Sequence, residues 1–369
     1  MMIHVFNPEH DLALAHNGEH FTAPHAAREL RMNLGFIPAL WAADGDIVLV
    51  DDVEFALKAN RKFKDRLADV LFMSADDLRQ LRPKCDGASV WGWDRAVRRQ
   101  LLEAGVAEEN LPDEHQISVI RSLSGRQTAV RVLGALGEAL DVNAIVGRSV
   151  CCSSMAEVEH TLAQWGAVVL KAPWSSSGRG IKYVMDGLTD TQRGWCAHVL
   201  HQQGTVVVEL YNNKVIDFGM EFRAHADGSI SYEGLSMFQT QNGAYIGNVL
   251  DTEEHKLEML SRYLPLAFIE QTKSELIVQL EKEICGKYVG CLGVDMMVVT
   301  HDGESEAQST EKGFRLNPCV EINLRRTMGH VALALSPQPT EPRQLMRIIH
   351  GVNYELKLSP MENNFVKLL

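Results

Sequence analysis

Short apolar runs alternate with amphipathic stretches through the first hundred residues. Residues 3–6, 47–50, 70–72 and 89–91 read as short strands. Between them, 24–34, 53–67 and 75–81 repeat apolar positions every three to four residues, and RAVRRQLLEAG (95–105) adds a helix closed by Gly105. Strands separated by helices predict a small open α/β domain with parallel strands. The polar stretch AEENLPDEHQ (107–116), with Pro112, predicts a boundary, so the first domain is taken as 1–111. Helices follow at 126–140 and 154–165, around a weak strand near 144–151. In VIDFGMEFRAHADGSISYEGLSMF (215–238), alternation around Asp227-Gly228 predicts two antiparallel strands and a tight turn. The last segment, 336–369, opens with SPQPTEP and predicts a helix at about 341–350.

Two charges interrupt this pattern where they are least expected. Asp295 is the only charged residue in YVGCLGVDMMVV (288–299) and Glu321 the only one in LNPCVEINL (316–324), both otherwise apolar strands. Strand side chains alternate faces, so Asn323 shares the face of Glu321. Unpaired buried carboxylates are costly, whereas two of them with an amide oxygen suit a hard cation such as Mg2+.

A second group lies upstream. VVLKAPWSSSGRGIKYV (168–184) places a lysine at a strand end, then a Ser/Gly turn, then another strand. Small residues let backbone N–H groups approach an anion, and Lys171 adds a point charge for a phosphate oxygen. The turn is neither a P-loop nor a Rossmann fingerprint, because no G-x-x-x-x-G-K-[ST] occurs in the chain and Ser177-Gly178-Arg179-Gly180 leads into a strand.

The order of these pieces resembles the ATP-grasp superfamily over about 112–335: lysine strand and Gly-rich loop, then VVVELY (206–211), GVDMMVV with Asp295, and VEINLRR with Glu321 and Asn323. The resemblance implies an α/β, Rossmann-like N-terminal (pre-ATP-grasp) domain followed by an α+β ATP-grasp fold of two lobes, 112–190 and 191–335, with 336–369 as a C-terminal helix and tail. It implies ATP and Mg2+, with Mn2+ as the alternative ion. Arg126, Lys171 and the loop residues Ser175, Ser176, Ser177, Gly178 and Gly180 would contact the nucleotide. Glu209, Leu210 and Tyr211 would form the hinge that reads adenine, and Asp295, Glu321 and Asn323 would hold the metal. Asp217, favoured over Glu221 by spacing, would take the ribose. One departure stands out: SLSGRQTAVRVLGAL (122–136) carries Arg126 where many members have a phosphate-binding lysine, and a planar fork approaches phosphate differently.

Arg325 extends the Glu321, Asn323 alternation and would face a carboxylate or phosphoryl group; the Glu-x-Asn-x-Arg run looks like the corresponding strand of biotin carboxylase and carbamoyl phosphate synthetase. Arg223 is either a salt-bridge partner or a phosphate ligand. NPEHD (7–11) follows the first strand, and ligands of open α/β sheets bind beyond strand carboxyl ends, so Asn7, His10 and Asp11 are substrate-site candidates. His16 and His20 have i, i+4 spacing, but Asn17-Gly18 between them argues against a metal-binding helix.

The activity implied is an ATP-dependent ligase that makes an acyl phosphate, releases ADP and passes the acyl group to an amine or thiol. A kinase on the same fold, or a nucleotide-binding regulator without turnover, is the alternative. Composition narrows the partners. A net charge of −12 without a long basic run disfavours nucleic acid, and the apolar runs are too short to span a membrane. Seven cysteines without paired C-x-x-C spacing argue against a disulfide framework or a zinc ribbon. The expectation is a cytoplasmic enzyme, a homodimer as is common among such enzymes, that acts on small-molecule or peptide carboxylate and amine substrates.

Overall fold

A computed structural model describes residues 1–175, 180–241, 244–301 and 313–361 of the chain. The chain divides into two units, and the first is assembled from three stretches: Met1–Ser122, Gly247–Asp251 and Leu324–Met361. It begins with β1 (Met2–Val5), α1 (His10–His16), α2 (His25–Leu34), β2 (Ile47–Leu49), α3 (Val53–Asn60), β3 (Leu71–Met73), α4 (Ala75–Leu81), β4 (Gly87–Val90) and α5 (Arg95–Glu103). The four strands are parallel in the order β3-β2-β1-β4, the open α/β sheet that the alternation of strands and helices predicts. Ile3, Val5, Ile47, Leu49 and Val90 pack with Val97 and Leu101 of α5 on one side of the sheet. Helices start where side chains can cap them: Asp52, Ser74 and Asp94 each accept the N–H three residues on.

After α6 (Glu114–Leu123), the second unit runs over Leu123–Ile246 and Thr252–Asn323 in its described part. It holds α7 (Arg126–Ala139), β5 (Ser149–Cys152), α8 (Met155–Trp165), β6 (Val168–Lys171), β7 (Ile181–Val184), α9 (Asp190–Gln203) and β8 (Val206–Leu210). These strands form an antiparallel sheet in the order β5-β8-β6-β7, with Val168, Leu170, Val206 and Val208 packed on Val158 and Val199 of the helices. Then come β9 (Lys214–Ala224), β10 (Ile230–Gln241), β11 (Ala244–Leu250), α10 (Glu253–Ser261), α11 (Leu266–Ile284), β12 (Gly290–His301) and β13 (Gly313–Asn323). The β9–β10 hairpin turns at Asp227-Gly228 as its sequence predicts, with Gly228 at φ 89°. Phe218, Met220 and Phe222 of β9 and Leu292 and Val294 of β12 are fully buried.

The last stretch returns to the first unit. It contributes α12 (Met328–Leu335), β14 (Gln344–His350) and β15 (Tyr354–Pro360). Here the structure corrects the sequence reading: 344–350 is not a helix but a strand, paired antiparallel with β15 and with residues 247–250 of β11. Paired in this way, the strand buries Leu345 and places Met346 in a core with Phe6, Val48, Trp91, Val331 and Leu335.

Candidate active site

In the second unit, β12 lies between β9 and β13. Asp295 stands opposite Gly219 on one side and Glu321 on the other, while Gly293 stands opposite Glu221 and Asn323. Opposed residues share a face, so Glu221, Asp295, Glu321 and Asn323 form one polar patch on the side opposite Phe218, Met220 and Phe222. A Cβ on Gly219 would lie 3.4 Å from Asp295 Oδ1 and 3.6 Å from Glu221 Oε1, which means both carboxylates lean over the bare glycine. Asn323 Nδ2 donates to Asp295 Oδ2 at 3.1 Å, and Glu321 Oε2 is 2.9 Å from Arg126 Nη1. Just beyond the patch the ladder breaks: Pro318, Cys319 and Val320 stand against Met296 alone, a bulge that accommodates a residue without an N–H.

Burial corrects one expectation. Asp295 and Glu321 are half-buried rather than enclosed, and the buried carboxylates among the described residues of this unit are Glu221 and Glu209, 2% and 5% exposed. A site that exchanges ligands needs this arrangement, with its outer carboxylates open to solvent and its inner one held. The donor set consists of carboxylate oxygens plus one amide that presents its oxygen when turned, and the bare Gly219 leaves a cradle between two of them. This fits Mg2+, which prefers hard oxygen ligands.

A cationic group adjoins the patch within the same unit. Arg126 opens α7, and its Nε donates to Ala172 O at 3.0 Å, just past the end of β6. Lys171, the last residue of β6, pairs with Glu209 of β8 at 2.5 Å, and both are buried. Arg126, Lys171, Glu209, Ser149 and Cys319 line a cavity of ≈ 10 Å3, the size of about one water molecule. Burial, followed by the charges of Glu209 and Asp295, pushes the Cys319 thiol far up, so it stays protonated and unreactive.

The other candidates fall as follows. Ser176, Ser177 and Gly178 lie outside the described residues. Gly180 is buried against Ser175 and Ala172, where a Cβ would collide with the Ser175 side chain. The N–H groups of Leu210 and Tyr211 are bonded to Arg148 O at 2.9 Å and Ala167 O at 3.1 Å. Asp217 accepts from Thr240 Oγ1 at 2.6 Å and pairs with Lys214. Arg223 Nε donates to Glu233 at 2.5 Å, the salt-bridge alternative rather than an open cation.

Three candidates and Arg325 belong to the first unit. The strand ends at Asn323, so Arg325 does not continue its alternation; it clamps Asp11 with Nε and Nη2 at 3.0 and 2.8 Å. Asn7 Nδ2 donates to Gly92 O at 2.8 Å, and His10 Nδ1 meets Asp94 Oδ2 at 2.9 Å. His10 is enclosed at 1% exposure and sits in the first turn of α1. Sequence reasoning ranked Glu221 below Asp217 and did not single out Glu9. The signal for Glu221 was its place on the polar face of β9, two residues beyond Gly219.

No family model matches the chain, and no curated protein matches it significantly. Solved structures do match. The biotin carboxylase of Campylobacter jejuni, solved as a β,γ-ATP complex, is 12% identical over 94% of this chain and 75% of its own, with a TM-score of 0.52. The biotin carboxylase domain of Hydrogenobacter thermophilus 2-oxoglutarate carboxylase, a dimer with MgADP, ADP and bicarbonate, is 12% identical over 94% and 74%, with a TM-score of 0.51. The N5-carboxyaminoimidazole synthetase of Staphylococcus aureus, complexed with ADP, is 14% identical over 94% and 82%, with a TM-score of 0.49. The chain has the ATP-grasp fold, an N-terminal α/β domain followed by the two grasp lobes. The two biotin carboxylases are among the solved structures that share this fold.

Proposed function

We propose that the protein is an ATP-dependent ligase that activates a small carboxylate as its acyl phosphate and transfers the acyl group to an amine or thiol. One observation carries this reading: Glu221, Asp295, Glu321 and Asn323 gather on one sheet face, with Arg126 reaching Glu321 at 2.9 Å. In this reading Asp295 and Glu321, with Asn323 turned to offer its oxygen, hold Mg2+, and Glu221 supports them from beneath. Bound there, the metal would supply positive charge to neutralise the phosphate oxygens. Arg126 and Lys171 supply fixed positive charge for the phosphate oxygens.

In the first step a substrate carboxylate oxygen attacks the γ-phosphorus, the bond to the bridging oxygen breaks, and ADP leaves with that electron pair. The amine or thiol then attacks the acyl carbon, phosphate departs, and the nucleophile gives up its proton. Positioning and electrostatics do most of the work in such a transfer, which suits a site built from fixed carboxylates and cations.

Hydroxylamine tests this chemistry. Screened with a panel of carboxylic acids, it should trap the acyl phosphate as a hydroxamate in step with ADP release. A stable phosphorylated hydroxyl compound would favour the kinase alternative instead, and AMP with pyrophosphate would overturn the acyl-phosphate mechanism. The closing of Arg325 onto Asp11 removes that arginine as support for a carboxylate clamp, so the assay, and not Arg325, must separate ligase from kinase.

A further inference from the structure

The first unit contains a pocket of ≈ 380 Å3, within the range of about 300–1,000 Å3 usual for small-molecule sites. Its position follows from the sheet. In the order β3-β2-β1-β4, the chain leaves β1 and β4 toward opposite sides, and the crevice past their carboxyl ends is where open α/β sheets bind ligands. The pocket is lined by Asn7 and Glu9, which follow β1, and by Asp94, which follows β4.

Its polar groups are not equally available. Asp94 accepts from Val97 N, Asn7 and His10, and is spent on holding the fold. Glu9 differs. It is 7% exposed, its Oε1 takes a hydrogen bond from Arg31 at 2.5 Å, and its Oε2 is buried without a hydrogen-bond partner among the described residues. Leaving a buried carboxylate oxygen unbonded costs about 1–3 kcal/mol or more, so such an atom on a pocket wall calls for a donor. Burial also pushes the Glu9 carboxyl up against the pull of Arg31, a strain that a second cation would relieve. Arg28, three residues before Arg31 on α2 and also in the lining, is exposed and has no ion-pair partner among the described residues.

We propose that this pocket binds a small zwitterion of amino-acid size, with its ammonium group on Glu9 Oε2 and its carboxylate on Arg28. The proposal does not depend on the nucleotide reading, because binding is expected without ATP or Mg2+.

The test uses the full chain, without nucleotide, and each of the twenty standard amino acids in thermal-shift and calorimetric titrations. At least one should bind and raise the melting temperature, while the same carbon skeleton without its amino group should bind at least tenfold more weakly. Glu9→Gln should weaken that binding tenfold or more. Arg28→Ala should weaken the amino acid severalfold but leave its carboxamide, which has lost the anionic group, almost unchanged. If Glu9→Gln fails to fold, Arg28→Ala decides, since Arg28 is exposed and its loss should leave the melting temperature of the free protein intact. Failure of all twenty to bind, or binding that both variants leave unchanged, would overturn the proposal.

Discussion

Replacing Lys171 by methionine separates two jobs that one side chain performs. Lys171 and Glu209 form an ion pair at 2.5 Å, with their side chains each only 6% exposed. Taking away one member leaves the other charge buried without compensation, which costs about 3–5 kcal/mol. Against a net stability of about 5–15 kcal/mol for a typical domain, that is a large fraction. Methionine fills much of the lysine stem's volume, so the loss comes from charge and not from a cavity. Replacing both partners, Lys171→Met with Glu209→Leu, removes both charges and should recover most of the stability. Urea unfolding of the wild type, the two single variants and the double variant measures the cycle. A loss below about 1 kcal/mol in Lys171→Met, or a double variant no better than the single, would refute the claim that a desolvated pair is held here. If Lys171 also meets phosphate, ATP should bind to the folded variant more weakly by about 1–3 kcal/mol.

Further expectations follow from other contacts. Glu321→Gln and Asp295→Asn should abolish Mg2+-dependent ADP release while nucleotide binding, read by calorimetry without metal, stays close to wild type; near-normal turnover in either variant at saturating Mg2+ would remove that residue from the metal site. Asp46 is drawn down to about 2 from 3.8: burial raises it, but bonds from Met2 N, His4 and Ala43 N together outweigh that. Its contribution, about 2 kcal/mol, is present above pH 3.8 and disappears as pH falls through 2, so Asp46→Asn should destabilise at pH 7 and lose that effect near pH 2. Equal destabilisation at both pH values would mean that the carboxylate charge is not what stabilises. Arg325→Ala should cost about 1–2 kcal/mol, and a cycle with Asp11→Asn should recover most of that as coupling; unaltered unfolding would show the clamp to be energetically idle.

The parts of the fold that were legible in the sequence are those with one clear period. Alternation along 215–224 placed Asp217, Glu221 and Arg223 on one face and Phe218, Met220 and Phe222 on the other, as the strand register has them. Polar residues inside apolar runs pointed to Asp295 and Glu321 for the same reason. The segment 344–350 misled because Leu345, Met346, Ile348 and Ile349 fit a helix or a strand equally well in so short a run, and its partner β15 decides between them. Arg325 was placed by extending an alternation past its end. Thr327 stops that extension: its side chain takes the N–H groups of Gly329 and His330 and starts α12, a cap signal readable in principle. Lys171 and Glu209 are far apart in sequence, and no local pattern reveals that they neutralise each other.

The composite make-up of the first unit bears on how the chain is synthesised. Its core joins Phe6, Val48 and Trp91 to Val331, Leu335 and Met346, residues separated by the whole of the second unit. A ribosome adding about 5–20 residues per second needs on the order of 10–40 s to pass from the end of the first stretch to the start of the last. Throughout that interval the emerging N-terminal sheet lacks one wall of its interior, and chaperones would meet exposed apolar surface there. A fragment ending at Ser122 should therefore be aggregation-prone, and emergence of residues 324–361, not of the first hundred residues, should set when this half of the protein becomes protease-resistant.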